Sequence, residues 1–212
     1  MLDFSKIKTI PIKQRKNKVK LSNLIRPENS KVLMDSIELN DLVYRTINAS
    51  VRNKQIIVMM GAHVIKTGMS LLIIDLMKKG IINHIAMNGA GPIHDFELAL
   101  IGETSEYVEN TIEDGTFGMI EETGRILNDA IKEGAKNNLG CGYSIGKKIS
   151  DLNLKNKEYS ILYNAYKLSI PVTVHVAIGT DIIHQHPSCD GAAIGKTSYQ
   201  DFKIFAESVS KL

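Results

Sequence analysis

Apolar residues fall in three short, nearly continuous runs, at 55–60, 81–87 and 171–178, separated by long stretches with helical spacing. Runs this short and without alternation mark strands buried on both faces of a parallel sheet. Helical patterns cover 31–51 (Val32, Leu33, Ile37, Leu39, Leu42, Val43, Ile47), 67–79 with Gly80 as a stop, 95–101, 104–113, 120–133, 141–151, 158–168 and 199–212. Thr104 or Ser105 can cap the fourth of these, 114–118 reads as a turn, and 188–195 reads as a loop of small residues. Strands alternating with helices predict an α/β fold with a Rossmann-like parallel sheet and flanking helices. Doubly wound sheets usually hold more than three strands. The domain at 31–212 is therefore expected to lack its C-terminal part, the alternatives being strands missed near the N-terminus or supplied by a partner chain.

Residues 1–30, broken by Pro11 and Pro27, read as a basic arm or connector. Seven Lys/Arg stand against Asp3 in the first 20 residues, a local balance of +6 in a chain of net +3. No aromatic residue interleaves with 13–20, so the arm is expected to be solvated rather than to bind nucleic acid. Hydrophobic content of 43% suits a globular domain, and no run reaches the length of a membrane span. The N-terminus lacks an apolar signal core, and Cys141 and Cys189 lack metal-type spacing, so a reduced, cytoplasmic setting is expected.

The candidate chemistry lies in two Gly-rich turns, 59–68 and 87–95, each following a predicted strand. In open α/β sheets, ligands bind at the carboxyl ends of strands, where small residues let backbone N–H groups approach a phosphate. Each turn also carries a histidine, His63 and His94; His175 lies in the third strand, and His184 and His186 follow it. His84 sits at the opposite end of the sheet and reads as structural. Asp95 stands beside His94 and could orient it as a general base; Asp181 and Asp190 accompany the later histidines. In an extended segment His184 and His186 could share a metal ion with Asp181. Lys66-Thr67 fails the phosphate-loop spacing, and Gly89-Ala90-Gly91 supplies half of the dinucleotide fingerprint. Glu121 and Glu122 read as a solvated helix start, and Cys141 as structural.

From about residue 54 onward the chain resembles the deoxyhypusine synthase family. The turn at 61–70, the turn at 85–95 and the segment 171–184 occupy the places of three family motifs, with Gly68 and Asp181 on matching positions. The resemblance implies an NAD-dependent, homotetrameric enzyme acting on a small molecule. It places the cofactor against Gly61, Ala62, His63, Asn88, Gly89 and Ala90, with Gly68 and Gly91 in the same two turns; the residues themselves offer His94, Asp181 and His184 as the catalytic candidates, His94 as base or substrate ligand. The sequence departs from the family at Ile93 and His94, where the family holds its polyamine with two glutamates, and at Val176, where it has an aspartate. The chain also contains no Trp, although the family's catalytic lysine lies beside one. Isoleucine and imidazole cannot offset the desolvation of a cationic amine, so the expected activity is NAD-dependent oxidation or transfer on a small, non-spermidine substrate. The alternatives are a metal-dependent hydrolase using His63, His94, His184, His186 and Asp181, and a non-catalytic or truncated dinucleotide-binding subunit.

Overall fold

The computed structural model describes residues 3–29 and 35–212. Val32 and Leu33, part of the first helical pattern, lie outside them. In chain order the elements are β1 (Asn17–Lys20), α1 (Ile37–Val51), β2 (Ile57–Met60), α2 (His63–Lys66), α3 (Ser70–Lys78), β3 (His84–Asn88), α4 (Ala90–Ile101) and β4 (Glu103–Glu106). There follow α5 (Val108–Thr111), α6 (Glu121–Lys136), α7 (Cys141–Asp151), α8 (Ile161–Leu168), β5 (Val172–His175) and α9 (Gly191–Val209).

The three apolar runs form one parallel sheet in the order β2-β3-β5, with Val58 opposite Ile85 and Met87 opposite Val174. The central strand is buried from His84 to Met87, as a strand covered on both faces should be. Helices pack around the sheet, and Ile65, Ile85, Phe96, Leu98, Leu127, Ile145, Ile149 and Ile161 form the heart of one core. The chain is thus an α/β protein with a parallel sheet and flanking helices. Among the described residues no helix is long and apolar enough to cross a membrane.

β5 stands at an edge of the sheet, where unpaired backbone groups need partners. Side chains of α9 supply them. Asp201 Oδ2 accepts from the N–H groups of Val174 (2.8 Å) and Gly142 (3.0 Å), while Ser198 Oγ accepts from Val176 N–H (2.9 Å) and donates to the Val174 carbonyl (3.1 Å). His84 is buried between the hydroxyls of Ser208 (2.7 Å) and Thr173 (2.9 Å), and burial pushes its pKa down to about 4. That neutral ring has the structural role expected of it.

Three local expectations are corrected. The segment 104–113 is not one helix: it opens with β4, antiparallel to β1, and only Val108–Thr111 is helical. Its polar sequence hides a buried strand, because Thr104, Ser105 and Glu106 are covered, with Thr104 donating to Glu97 on α4 and Glu106 accepting from Gly118 N–H. The helix expected at 95–101 starts at Ala90, Pro92 being tolerated in the first turn where its missing N–H costs nothing. The loop at 188–195 gives way to α9 at Gly191, since Asp190 Oδ1 accepts from Ala192 N–H (2.9 Å) and Ala193 N–H (3.0 Å) as an N-cap.

The described part of the basic N-terminal segment lies against the body. Ile10 bridges to Ile120, Thr9 donates to Glu121 (2.7 Å), and the N–H of buried Ile12 donates to Glu122 (2.7 Å). The two glutamates expected to cap a solvated helix start therefore tie down this segment instead. Arg15 goes deeper. Its guanidinium donates to Glu97 on α4 (2.7 Å) and to Asn17 (2.8 Å), and lies 4.0 Å from Glu106 on β4. Both side chains of the Arg15–Glu97 pair are almost wholly buried, 3% and 1% exposed.

Removing one member of a buried ion pair strands the other charge. Arg15→Met is expected to lower unfolding stability by about 3–5 kcal/mol, measured by urea denaturation; an unchanged midpoint would show the pair to be dispensable. At the β5 edge of the sheet, burial raises the Asp201 carboxyl to about 7. A folded-state pKa above the unfolded value means stability that is present at low pH and lost as pH rises from about 4 to 7. Relative to the wild type, Asp201→Asn should therefore gain stability across that window. Denaturation at pH 4, 5.5 and 7.5 reads the difference, and a constant difference would contradict the assignment.

Candidate functional site

A cavity of about 200 Å³ opens beyond the carboxyl ends of the parallel strands. Its polar wall includes Arg15, Lys66, His94, Glu97, Glu106 and Asp181, and its apolar wall includes Ile93, Val108, Phe117 and Ile182. α4 contributes three of these residues, Ile93, His94 and Glu97, from consecutive turns of a helix with charged side chains inside the protein. Ser105, also at the wall, has φ +68°, an uncommon left-handed conformation for a non-glycine residue.

The hydrogen bonds set the chemistry of His94. Its Nδ1 lies 2.7 Å from Thr104 Oγ1, and Thr104 Oγ1 donates its one proton to Glu97 Oε2 at 2.6 Å. The Thr104 oxygen can then only accept from the ring, so Nδ1 carries the imidazole proton and Nε2 keeps a lone pair. Burial, the dominant cause, lowers the His94 pKa to about 4; Glu97 opposes the shift, and Lys66, Arg15 and His63 reinforce it. At neutral pH the ring is uncharged and Nε2 is a proton acceptor. Glu97 also accepts from Thr123 (3.0 Å) and Arg15 (2.7 Å), so its buried carboxylate is well satisfied.

Glu106 is less well served. Oε1 accepts from Gly118 N–H (3.1 Å), but Oε2 is buried with no hydrogen-bond partner. Burial raises the Glu106 pKa, and Arg15, the nearby Thr111 hydroxyl and Gly118 N–H only partly counter that. Lys66, on the same cavity wall, is not among the ion-paired cations of the described residues.

Of the residues expected to be catalytic, His94 and Asp181 both line the cavity. His184 does not line it: its Nδ1 accepts from Gly179 N–H (3.0 Å) and Asp181 N–H (3.2 Å), and Nε2 lies 3.9 Å from Asp181 Oδ2. It holds the loop that presents Asp181. Burial lowers the His184 pKa and raises that of Asp181. Asp95, expected to orient His94, instead accepts from Ser160 Oγ (2.5 Å) and from the N–H groups of Ile161 (2.7 Å) and Leu162 (3.1 Å) at the start of α8. Neighbours along a helix point to different sides, and His94 finds Thr104 and Glu97 in its place. In the sequence Thr104 reads only as a helix cap, and Glu97, Arg15 and Glu106 carry no functional mark; the available signal was a polar Glu-Thr-Ser-Glu run after a helix-ending glycine.

The second of the turns expected to cradle NAD is filled by the protein's own side chains. Asn88 Oδ1 accepts from Gly91 N–H at 3.2 Å, and a Cβ on Gly89 would run into the Asp181 carboxylate. A Cβ on Gly91 would press on the Met87 sulfur at 2.6 Å. These small residues at the start of α4 admit neighbouring side chains, and a carboxylate at a helix N-terminus disfavours a second anion there. Gly68 has φ +85°, and a Cβ there would collide with the carbonyl of Asn23; its own carbonyl accepts from Ile25 N–H at 2.8 Å. It serves the docking of the N-terminal segment. Gly61 and His63 are exposed, and Ala62 is buried beside them. As folded, the turn at Asn88, Gly89, Ala90 and Gly91 is packed by Asn88, Asp181 and Met87.

The metal-hydrolase alternative is also corrected. His186 turns to Ser188 (2.7 Å) and Glu121 (3.3 Å), away from His184, and no three His, Cys, Asp or Glu side chains among the described residues gather to hold an ion.

Comparison with family models and with curated proteins finds no match. Among solved structures, the chain is similar to ArgZ, an arginine dihydrolase from the ornithine–ammonia cycle in cyanobacteria, at 15% identity and a TM-score of 0.48, covering 85% of this chain and 24% of that one. It is similar to AgrE, crystallised with L-arginine, at 14% identity and a TM-score of 0.49, covering 85% and 25%. It is similar to a conserved LOR/SDH protein of Methanococcus maripaludis S2 at 18% identity and a TM-score of 0.46, covering 81% and 52%. The chain thus spans about a quarter to a half of the lengths of these proteins, and likenesses this distant carry no activity over to it. None of the three is a deoxyhypusine synthase. The expectations of that family and of its chemistry on a non-spermidine substrate, with the dinucleotide-binding subunit as alternative, are corrected on these findings, and its NAD and its tetramer find no support in them.

Proposed function

We propose that the cavity binds a small polar molecule carrying an N–H or ammonium group, with His94 as proton acceptor toward the ligand. The observation that supports this best is Glu106, a cavity-wall carboxylate whose buried Oε2 has no partner. A buried acceptor without a donor costs free energy that a donor on a ligand would recover. His94 Nε2 is a second acceptor, and Asp181 adds a second carboxylate at the mouth of the same cavity. Lys66 offers the ligand's other end a cation. Ile93, Phe117 and Ile182 suit a short apolar stem between those ends. The free cysteines, Cys141 buried and Cys189 half-buried, suit a reduced, cytoplasmic setting.

Ethanolamine and glycine are the probes, with acetate and inorganic phosphate as anion controls, read by calorimetric titration and thermal shift. The amines are expected to bind and to raise the melting temperature. Glu106→Gln should weaken that binding about tenfold or more, as the loss of a charge-assisted hydrogen bond requires. Absence of amine binding, or equal binding by Glu106→Gln, would overturn the reading.

A further inference from the structure

α1 is a helix of 15 residues with none of them buried, although its sequence is amphipathic. Ile37, Tyr44 and Val51 are 85%, 66% and 76% exposed, and Ile47 and Val43 are exposed beside them. Ile37, Asn40, Tyr44, Ile47 and Val51 recur at steps of three and four, so they form one stripe along the helix. An apolar stripe of this length facing water is uncommon on a lone domain and marks a surface that another surface covers.

The charges flanking the stripe identify the cover. Glu38, Asp41, Arg45 and Arg52 recur at steps of three, four and seven, so they run along a single flank of the helix. The acidic pair lies in the first half of α1, Arg45 in the second and Arg52 directly after its last residue, with Asp35 before the helix and Lys54 after it extending the same polarity. Asp41 and Arg45 already bond to each other at 2.7 Å, whereas exposed Glu38 and Arg52 are in no ion pair among the described residues. When two copies of such a helix pack antiparallel, like flanks face each other and the acidic end of one meets the basic end of the other. Parallel packing would set this flank against the opposite one, which carries Leu39, Thr46 and Ser50.

We propose that α1 is a self-association surface, pairing antiparallel with α1 of a second copy of this chain about a two-fold axis. Ile37 then packs near Val51 of the second copy, Tyr44 packs near the axis, and Glu38 meets Arg52 of the second copy. An isologous contact of this kind is self-complementary by symmetry. One helix pair is small beside the roughly 1,200–2,000 Å² of standard interfaces, so the dimer should dissociate on dilution.

Sedimentation velocity of the full chain over a range of concentrations tests this. The wild type should show a reversible monomer–dimer equilibrium. Ile47→Glu, an exposed position whose change should leave the circular dichroism spectrum intact, should weaken dimerisation about tenfold or more. Glu38→Arg should weaken it as well, and Glu38→Arg combined with Arg52→Glu should restore it. A wild type that stays monomeric, or an Ile47→Glu variant that associates as before, overturns the proposal. Failure of the double swap to restore what Glu38→Arg removed overturns the antiparallel arrangement.

Discussion

Burying Arg15 against Glu97 constrains most of what surrounds the cavity. A guanidinium and a carboxylate leave water at a cost that only close geometry and additional hydrogen bonds can offset. Glu97 therefore collects donors from Arg15, Thr104 and Thr123, while Arg15 also reaches Asn17 and approaches Glu106. The network ties the N-terminal segment at Arg15 and Asn17 to α4 and β4, two neighbouring elements more than 80 positions further along the chain. It also reaches the cavity wall directly, since Arg15, Glu97 and Glu106 all line it.

The same network fixes the state of His94. Thr104 has one proton and gives it to Glu97, so the imidazole must be the donor on that side. With Nδ1 committed and burial opposing a charge, the free nitrogen is a neutral acceptor at physiological pH. A hydrogen bond made to anchor an arginine thus decides which nitrogen of a cavity histidine carries its proton. Glu106 is the complementary case: the network supplies a partner for one oxygen and leaves the other without one.

The sheet was legible because three apolar runs without alternation can hardly be anything but strands buried on both faces, and the helices from α6 to α8 follow their periodicity. The gathering of His94 and Asp181 at one cavity was legible too, from their places after strands. What the sequence concealed was polar burial. Arg15 reads like any other residue of a basic arm, and Glu103-Thr104-Ser105-Glu106 reads like a helix start, because local periodicity does not register tertiary partners: Arg15 pairs with Glu97 and Asn17 with Glu103 across more than 80 positions, and Thr104 and Glu106 are held by Glu97 and Gly118. Local resemblance misled for a related reason. Gly68, Gly89 and Gly91 do admit close approach, but what approaches is the Asn23 backbone, the Asp181 carboxylate and the Met87 sulfur, and not a phosphate.

The most direct test of this account is the protonation state of the His94 ring, read from its imidazole nitrogen shifts by long-range nitrogen–proton NMR between pH 5 and 8, with His94→Gln supplying the assignment. The account predicts a neutral ring protonated at Nδ1 throughout that range. A ring protonated at Nε2, or one that titrates near pH 6.5, would contradict it.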